Sequence, residues 1–180
     1  MFSELIFQLS KRRVGQQTGE ETRSQGGSST ASYVQWRDEA LENEFRRCFD
    51  TQLIQGKDIL DLGCGTGGLA FLLIKLGAKS CIGIDLSRKD IEIAQSKLGN
   101  QPIVFQCASN TATIDLPDGS VDVVACFDVM EHIIEYHSII SEWRRILRPG
   151  GRVLISWQPW FHPYGHHARS YLPIPWVHVF

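Results

Sequence analysis

Gly63-Cys-Gly65-Thr-Gly67-Gly68 places four glycines in six positions, just after one apolar run and just before another. Glycines so spaced permit a tight turn and let a ligand lie against the backbone. The helix that follows offers N–H donors and positive potential at its start. The string fits Gly-x-Gly-x-x-Gly, with Gly68 as third glycine. Asp85 closes the next apolar run, Cys81-Ile-Gly-Ile-Asp85, where a carboxylate takes both hydroxyls of an adenosine ribose. Loop and acid together predict an adenosine-containing ligand and leave open which one.

Asp61, two residues before the first glycine, narrows the choice. A loop that must face a pyrophosphate gains nothing from a neighbouring anion. S-adenosylmethionine has no phosphate and carries an ammonium and a sulfonium, which a carboxylate attracts. The competing reading makes Asp61 a structural cap for the loop amides.

These residues need strands and helices in alternation to hold them. Asp58-Ile-Leu-Asp-Leu62 reads as a short buried strand, and Leu69–Leu76 as a helix ended by Gly77. Cys81–Asp85 reads as a second strand; Ser87 caps a helix running to Leu98. Ile103-Val-Phe105 starts a third strand, Pro117-Asp-Gly119 turns, and Val121–Cys126 forms a fourth. Ile139, Ile140, Trp143, Ile146 and Leu147 share one helical face, stopped at Pro149-Gly-Gly151, and Arg152–Ser156 is the fifth strand. Strict alternation with apolar strands predicts an α/β, doubly wound, mostly parallel sheet with helices on both faces.

Before this region, residues 1–32 include a Gly-, Ser-, Thr- and charge-rich stretch and are expected to form a flexible arm. Tyr33, Trp36, Ala40, Leu41, Phe45, Cys48 and Phe49 then recur at helical steps, opening a domain over 33–180. The chain of 180 residues suits one core, and a net charge of −2 gives no electrostatic case for nucleic acid or an anionic membrane. Five scattered cysteines without a Cys-x-x-Cys pair favour reduced thiols. No apolar run reaches the roughly 20 residues that span a bilayer, and no cleavable leader is evident. A cytoplasmic protein is expected.

Asp61-Leu-Gly-Cys-Gly-Thr-Gly67 resembles the first motif of class I S-adenosylmethionine-dependent methyltransferases, in particular a methyltransferase-11-like domain. Asp85 is similar to their ribose-binding acid. Leu116–Val124 resembles the lead into their fourth strand, Val129-Met-Glu-His132 the segment after it, and Arg145–Gly151 the turn into the fifth. The ordered motifs cover about residues 57–156. The resemblance implies S-adenosylmethionine as cofactor and a Rossmann-like fold. It implies that Gly63, Cys64, Gly65, Thr66 and Gly67 line the cofactor's methionine and ribose side, with Asp61 near the ammonium. Asp85 would hold the ribose, Leu86 would pack on adenine, and Asn110 or Ser109 would meet the adenine amino group. Phe127 and Asp128 would flank the cofactor and acceptor pocket. The family's sheet continues with a sixth and a seventh strand, for which this chain offers no residues, so the domain is expected to lack its last two strands.

Methyl transfer needs alignment and dry surroundings, and an oxygen or amine acceptor also needs a base. Glu131 and His132 are the local candidates, against the plainer reading of a cap and a pocket wall. No metal is expected, although Asp128, Glu131 and His132 have the acid-x-x-Glu-His spacing of metal-dependent members, with His162, His166 or His167 as a further ligand. Trp160, His162, Tyr164, His166 and His167 leave the fifth strand where substrates bind, and could equally cover the sheet edge. The expected function is methyl transfer to a small-molecule acceptor. The alternatives are a non-catalytic cofactor-binding or subunit-interaction remnant and, behind it, a nicotinamide-dependent oxidoreductase.

Overall fold

Strands that are apolar at nearly every position must be covered on both faces, and the computed structural model of the chain has that arrangement. It describes residues 41–110 and 113–156, which belong to one compact unit, Ala40–Trp157. The expected N-terminal arm, Tyr33 and Trp36, and the aromatic and histidine tail from Trp157 lie outside the described residues.

Five strands form one sheet: β1 (Asp58–Leu62), β2 (Ser80–Asp85), β3 (Ile103–Cys107), β4 (Val121–Phe127) and β5 (Leu147–Ser156). Their order is β3-β2-β1-β4-β5 and every neighbouring pair is parallel. The helices are α1 (residues 41–48), α2 (Gly68–Lys75), α3 (Arg88–Ser96) and α4 (Tyr136–Ile146). Among the described residues β3 and β5 are the edges of the sheet, and the antiparallel pair expected in the family is not among these strands. No helix among them is long and apolar enough to cross a membrane.

Side chains alternate across each strand, so β1 feeds two cores. Ile59 packs with Phe45 of α1, Leu73 of α2 and Ala94 of α3, whereas Leu60 packs with Ile139, Trp143 and Ile146 of α4. Ile140, expected on the buried face of α4, is 51% exposed. It sits about 100° round the helix from Ile139, beyond the apolar stripe.

Local chemistry sets the element ends. After α2, the Gly77 N–H donates to the Ile74 carbonyl and the Ala78 N–H to the Leu73 carbonyl, with Gly77 at φ +100°. This is the Schellman arrangement, which favours glycine. Ser87 caps α3 by accepting the Asp90 N–H at 3.3 Å. β5 is longer than the sequence suggests, and the reason is an irregularity. Val121 pairs with Leu147 but Val123 pairs with Arg152, so residues 148–151 bulge outward between two paired positions. Arg148 tightens this end of the sheet by reaching Asp58 and Asp122, each at 2.9 Å.

Candidate active site

β1 leads one way, to β2 and β3, while β4 and β5 lie on its other side, so the loops after β1 and β4 diverge. A doubly wound sheet opens a crevice there, outside the carboxyl ends of its strands. A cavity of about 270 Å³ occupies this place. Leu62 and Gly63 line it from β1, Ile84, Asp85 and Leu86 from β2, and Ala108, Asn110, Thr113 and Ile114 from the segment after β3. Asp128, Val129, His132 and Ile133, after β4, complete it.

The glycine loop is held by the strand next to it. The N–H groups of Gly63 and Cys64 both donate to the Ile84 carbonyl, at 2.7 and 3.1 Å. Gly63 has φ +75°, and a Cβ there would lie 2.2 Å from Val129 Cγ2. Only a residue without a side chain lets the segments after β1 and β4 meet so closely. Gly67, at φ +87°, is excluded from substitution by Phe105, whose Cζ would lie 2.7 Å from a Cβ.

Asp85 ties the loop to β2: Oδ2 accepts the Gly65 N–H and Oδ1 accepts the Ser87 N–H, both at 2.8 Å. Each oxygen keeps a lone pair for a further donor. Leu86, beside it, is 53% exposed. Asn110 Oδ1 accepts from the Thr113 N–H and Oγ1, and both residues line the cavity.

Asp61 is different in kind. It is 1% exposed, it does not line the cavity, and its Oδ2 has no hydrogen-bond partner among the described residues. Burial pushes its carboxyl up to about 7, against the Ala70 backbone N–H, which hydrogen-bonds to it, and with a smaller upward push from the charge of Asp85. Ala70 lies in the first turn of α2, so this carboxyl does cap the helix that the loop opens.

Of the residues singled out from sequence, Gly63, Asp85, Leu86, Asn110, Asp128 and His132 come together around the cavity. Asp61, Cys64, Gly65, Thr66, Gly67, Ser109 and Phe127 do not line it. Cys64 is buried in the core, its thiol pushed up by burial, and the Thr66 carbonyl accepts from Lys97 Nζ at 3.4 Å. Ser109 lines a neighbouring concavity with Arg88 and Gln106. Phe127 stacks on Phe45, with ring centroids 5.9 Å apart, and packs on Phe49. Glu131 and His132 end a short 3₁₀ turn, Met130–His132, rather than opening a long helix, and His132 is exposed at the cavity wall. The side chain of Glu131 lies outside the described residues. Among the described residues no group of three His, Cys, Asp or Glu is placed to hold a metal ion.

Sequence reasoning missed Thr113, Ile114, Val129 and Ile133 as lining residues. By residue type alone, Ile114, Val129 and Ile133 mark only core. Among the described residues no lysine or arginine lines the cavity, whereas two carboxylates do. Two carboxylates suit an uncharged or cationic adenosine derivative better than a pyrophosphate.

Comparison with known proteins agrees with this geometry. Residues 60–155, more than half of the chain, match the family model described as "Methyltransferase domain". The chain belongs to the class I S-adenosylmethionine-dependent methyltransferase family, whose cofactor is S-adenosyl-L-methionine. It is 34% identical over 106 residues to the ubiquinone biosynthesis O-methyltransferase of Paracidovorax citrulli, covering 57% of this chain and 44% of that one. It is 33% identical over 129 residues to the protein of the same name from Thiobacillus denitrificans, covering 70% and 53%. A solved S-adenosylmethionine-dependent methyltransferase from Mesorhizobium loti shares the fold, with a TM-score of 0.60, 23% identity, and 67% of this chain and 55% of that one covered. The chain spans about half the length of the curated relatives it matches.

Proposed function

We propose that this protein transfers the methyl group of S-adenosylmethionine to a small-molecule acceptor. The observation that carries this reading is a cavity at the switch point of the sheet, lined by Asp85 and Asp128 and, among the described residues, by no lysine or arginine. The chemistry supplied when the cofactor is bound is a sulfonium methyl group open to in-line displacement. Asp85, its carboxylate already aimed by two backbone N–H groups, accepts the ribose hydroxyls. Leu86 and Ile84 cover the adenine, and Asn110 stands at its edge. Gly63 lets the ligand lie against the backbone, and the loop from Cys64 through Gly67 fixes that backbone from behind. His132, on the cavity wall, takes the proton of an acceptor hydroxyl or amine, with Glu131 as the neighbouring acid. The names of the ubiquinone-type relatives favour a hydroxyl acceptor.

Titration calorimetry with S-adenosylmethionine, S-adenosylhomocysteine and NAD tests the reading. Both sulfur ligands should bind and NAD should not. Binding of NAD alone would turn the reading toward an oxidoreductase. Binding of the sulfur ligands without turnover on a panel of phenolic and amine acceptors would favour a non-catalytic cofactor-binding module.

A further inference from the structure

We infer that the protein has a second ligand site, for a phosphate group, at the end of the sheet opposite the cofactor cavity. The amino ends of β1 and β4 and the bulge of β5 border a concavity there of about 310 Å³. Small-molecule sites begin at roughly 300 Å³, so the space suits a compact ligand. Lys57, directly before β1, and Arg152, paired with Val123 of β4, line it, and Gln52 adds an amide.

The charges around the concavity do not cancel. Asp122 also lines it, but its Oδ2 already accepts the Asp58 N–H and the Arg148 guanidinium, each at 2.9 Å. The Asp58 N–H above all, with Arg148 and Lys57 adding to it, holds the Asp122 carboxyl below its ordinary range. Arg148 also reaches Asp58 at 2.9 Å, and Asp58 takes Lys79 at 3.1 Å. Asp58 and Asp122 are thus balanced by Arg148 and Lys79. Lys57 and Arg152 are left over, both exposed and neither in a salt bridge among the described residues.

The bulge keeps the concavity open. Gly151 is pressed against the neighbouring strand: a Cβ there would lie 2.9 Å from the Arg148 carbonyl oxygen and 3.0 Å from that of Asp122. Gly150, at φ +81°, has nothing within 4 Å of its Cβ position. No side chain therefore stands between Pro149 and Arg152 to fill the space. A dianion matches two uncompensated cations. Arg152 offers a planar fork, Lys57 a point charge and Gln52 an amide N–H, a donor set that phosphate oxygens take up. The phosphate is either free or the end group of a small phosphomonoester.

The full-length protein is titrated with inorganic phosphate, glycerol 3-phosphate and sodium chloride at matched ionic strength, while the backbone amide resonances of Lys57, Gly150, Gly151 and Arg152 are followed. Both phosphates should shift these resonances saturably, and chloride should not. Lys57→Gln and Arg152→Gln should each weaken phosphate about tenfold, the loss of one charge-assisted hydrogen bond. Lys57→Arg keeps the cation and should stay within about threefold. Lys89→Gln removes the same charge from α3 at the other end of the sheet and should stay within about twofold. Tighter binding of glycerol 3-phosphate would assign the site to a phosphomonoester, and equal or weaker binding to free phosphate. Shifts that chloride reproduces, or no saturable shift in folded protein, would overturn the inference. So would a phosphate affinity that falls in neither glutamine variant or equally in Lys89→Gln. Displacement of phosphate by S-adenosylhomocysteine would also overturn it, because the phosphate would then lie in the cofactor cavity.

Discussion

At the scale of single residues, the site depends on three aspartates placed in three different environments. Asp85 is part-buried and held still by two backbone N–H groups. Asp128 is exposed and strained, at φ +54°. Asp61 is buried with an oxygen unpartnered, so its proton is retained to about pH 7. The sign of the consequence follows from linkage. Below about pH 4 Asp61 is protonated in both the folded and the unfolded chain. As pH rises the unfolded chain releases this proton first, so the folded state loses stability until its own carboxyl titrates near 7. Urea denaturation of ligand-free protein should show a decline on the order of a few kcal/mol between pH 5 and pH 8 that Asp61→Asn removes. An identical pH slope in wild type and variant would mean that Asp61 is ionised throughout. The sequence made Asp61 conspicuous through its place before the glycines. It left open whether the carboxylate faces ligand or helix, because that depends on which face of β1 is covered by α2.

At the scale of elements, the wall of the cavity after β3 has little structure of its own and depends on α4. Arg145 Nη1 donates to the Leu116 carbonyl at 2.7 Å and to Asp118 at 2.8 Å, while Nη2 donates to the Ile114 carbonyl at 2.8 Å. Glu142 completes the clamp by accepting from Arg145 Nε and from the Ile114 N–H, both at 2.9 Å. The Arg145 guanidinium and the Ile114 N–H hold the Glu142 carboxyl down to about 2, so this support is present above its ordinary range and lost as pH falls toward 2. Because a lysine cannot fork between two carbonyls and two acids, Arg145→Lys should cost about 1–3 kcal/mol of stability. It should also speed amide exchange across residues 113–118. Unchanged exchange there would show that the wall stands without the clamp. In the sequence, Arg145 belonged to a family-like turn and carried no sign of this task. Apart from Glu142, its partners are more than two dozen residues away and meet it only after α4 folds onto the sheet.

At the scale of the whole molecule, cofactor binding and folding should be linked, since the cavity draws on the carboxyl ends of β1, β2 and β4 together. A ligand at about a hundred times its Kd stabilises the folded state by about 2.7 kcal/mol. S-adenosylhomocysteine should therefore raise the wild-type melting temperature by several degrees and leave Asp85→Ala close to its ligand-free value; an equal rise in both would remove Asp85 from the site. By itself the sequence determined the alternation of elements, the glycine turn, the acid at the end of β2 and the caps at Ser87 and Gly77. These are local matters of periodicity, φ and hydrogen bonding over a few residues, and each is written in neighbouring residue types. Only the tertiary structure decided which of the acids reach the cavity. It turned Asp61 away under α2, held Asp128 at positive φ with its N–H on the Ser156 carbonyl, and drew Phe127 onto Phe45 and Phe49. Each of these depends on packing between segments distant in the chain, so no spacing of residues along it could have specified them.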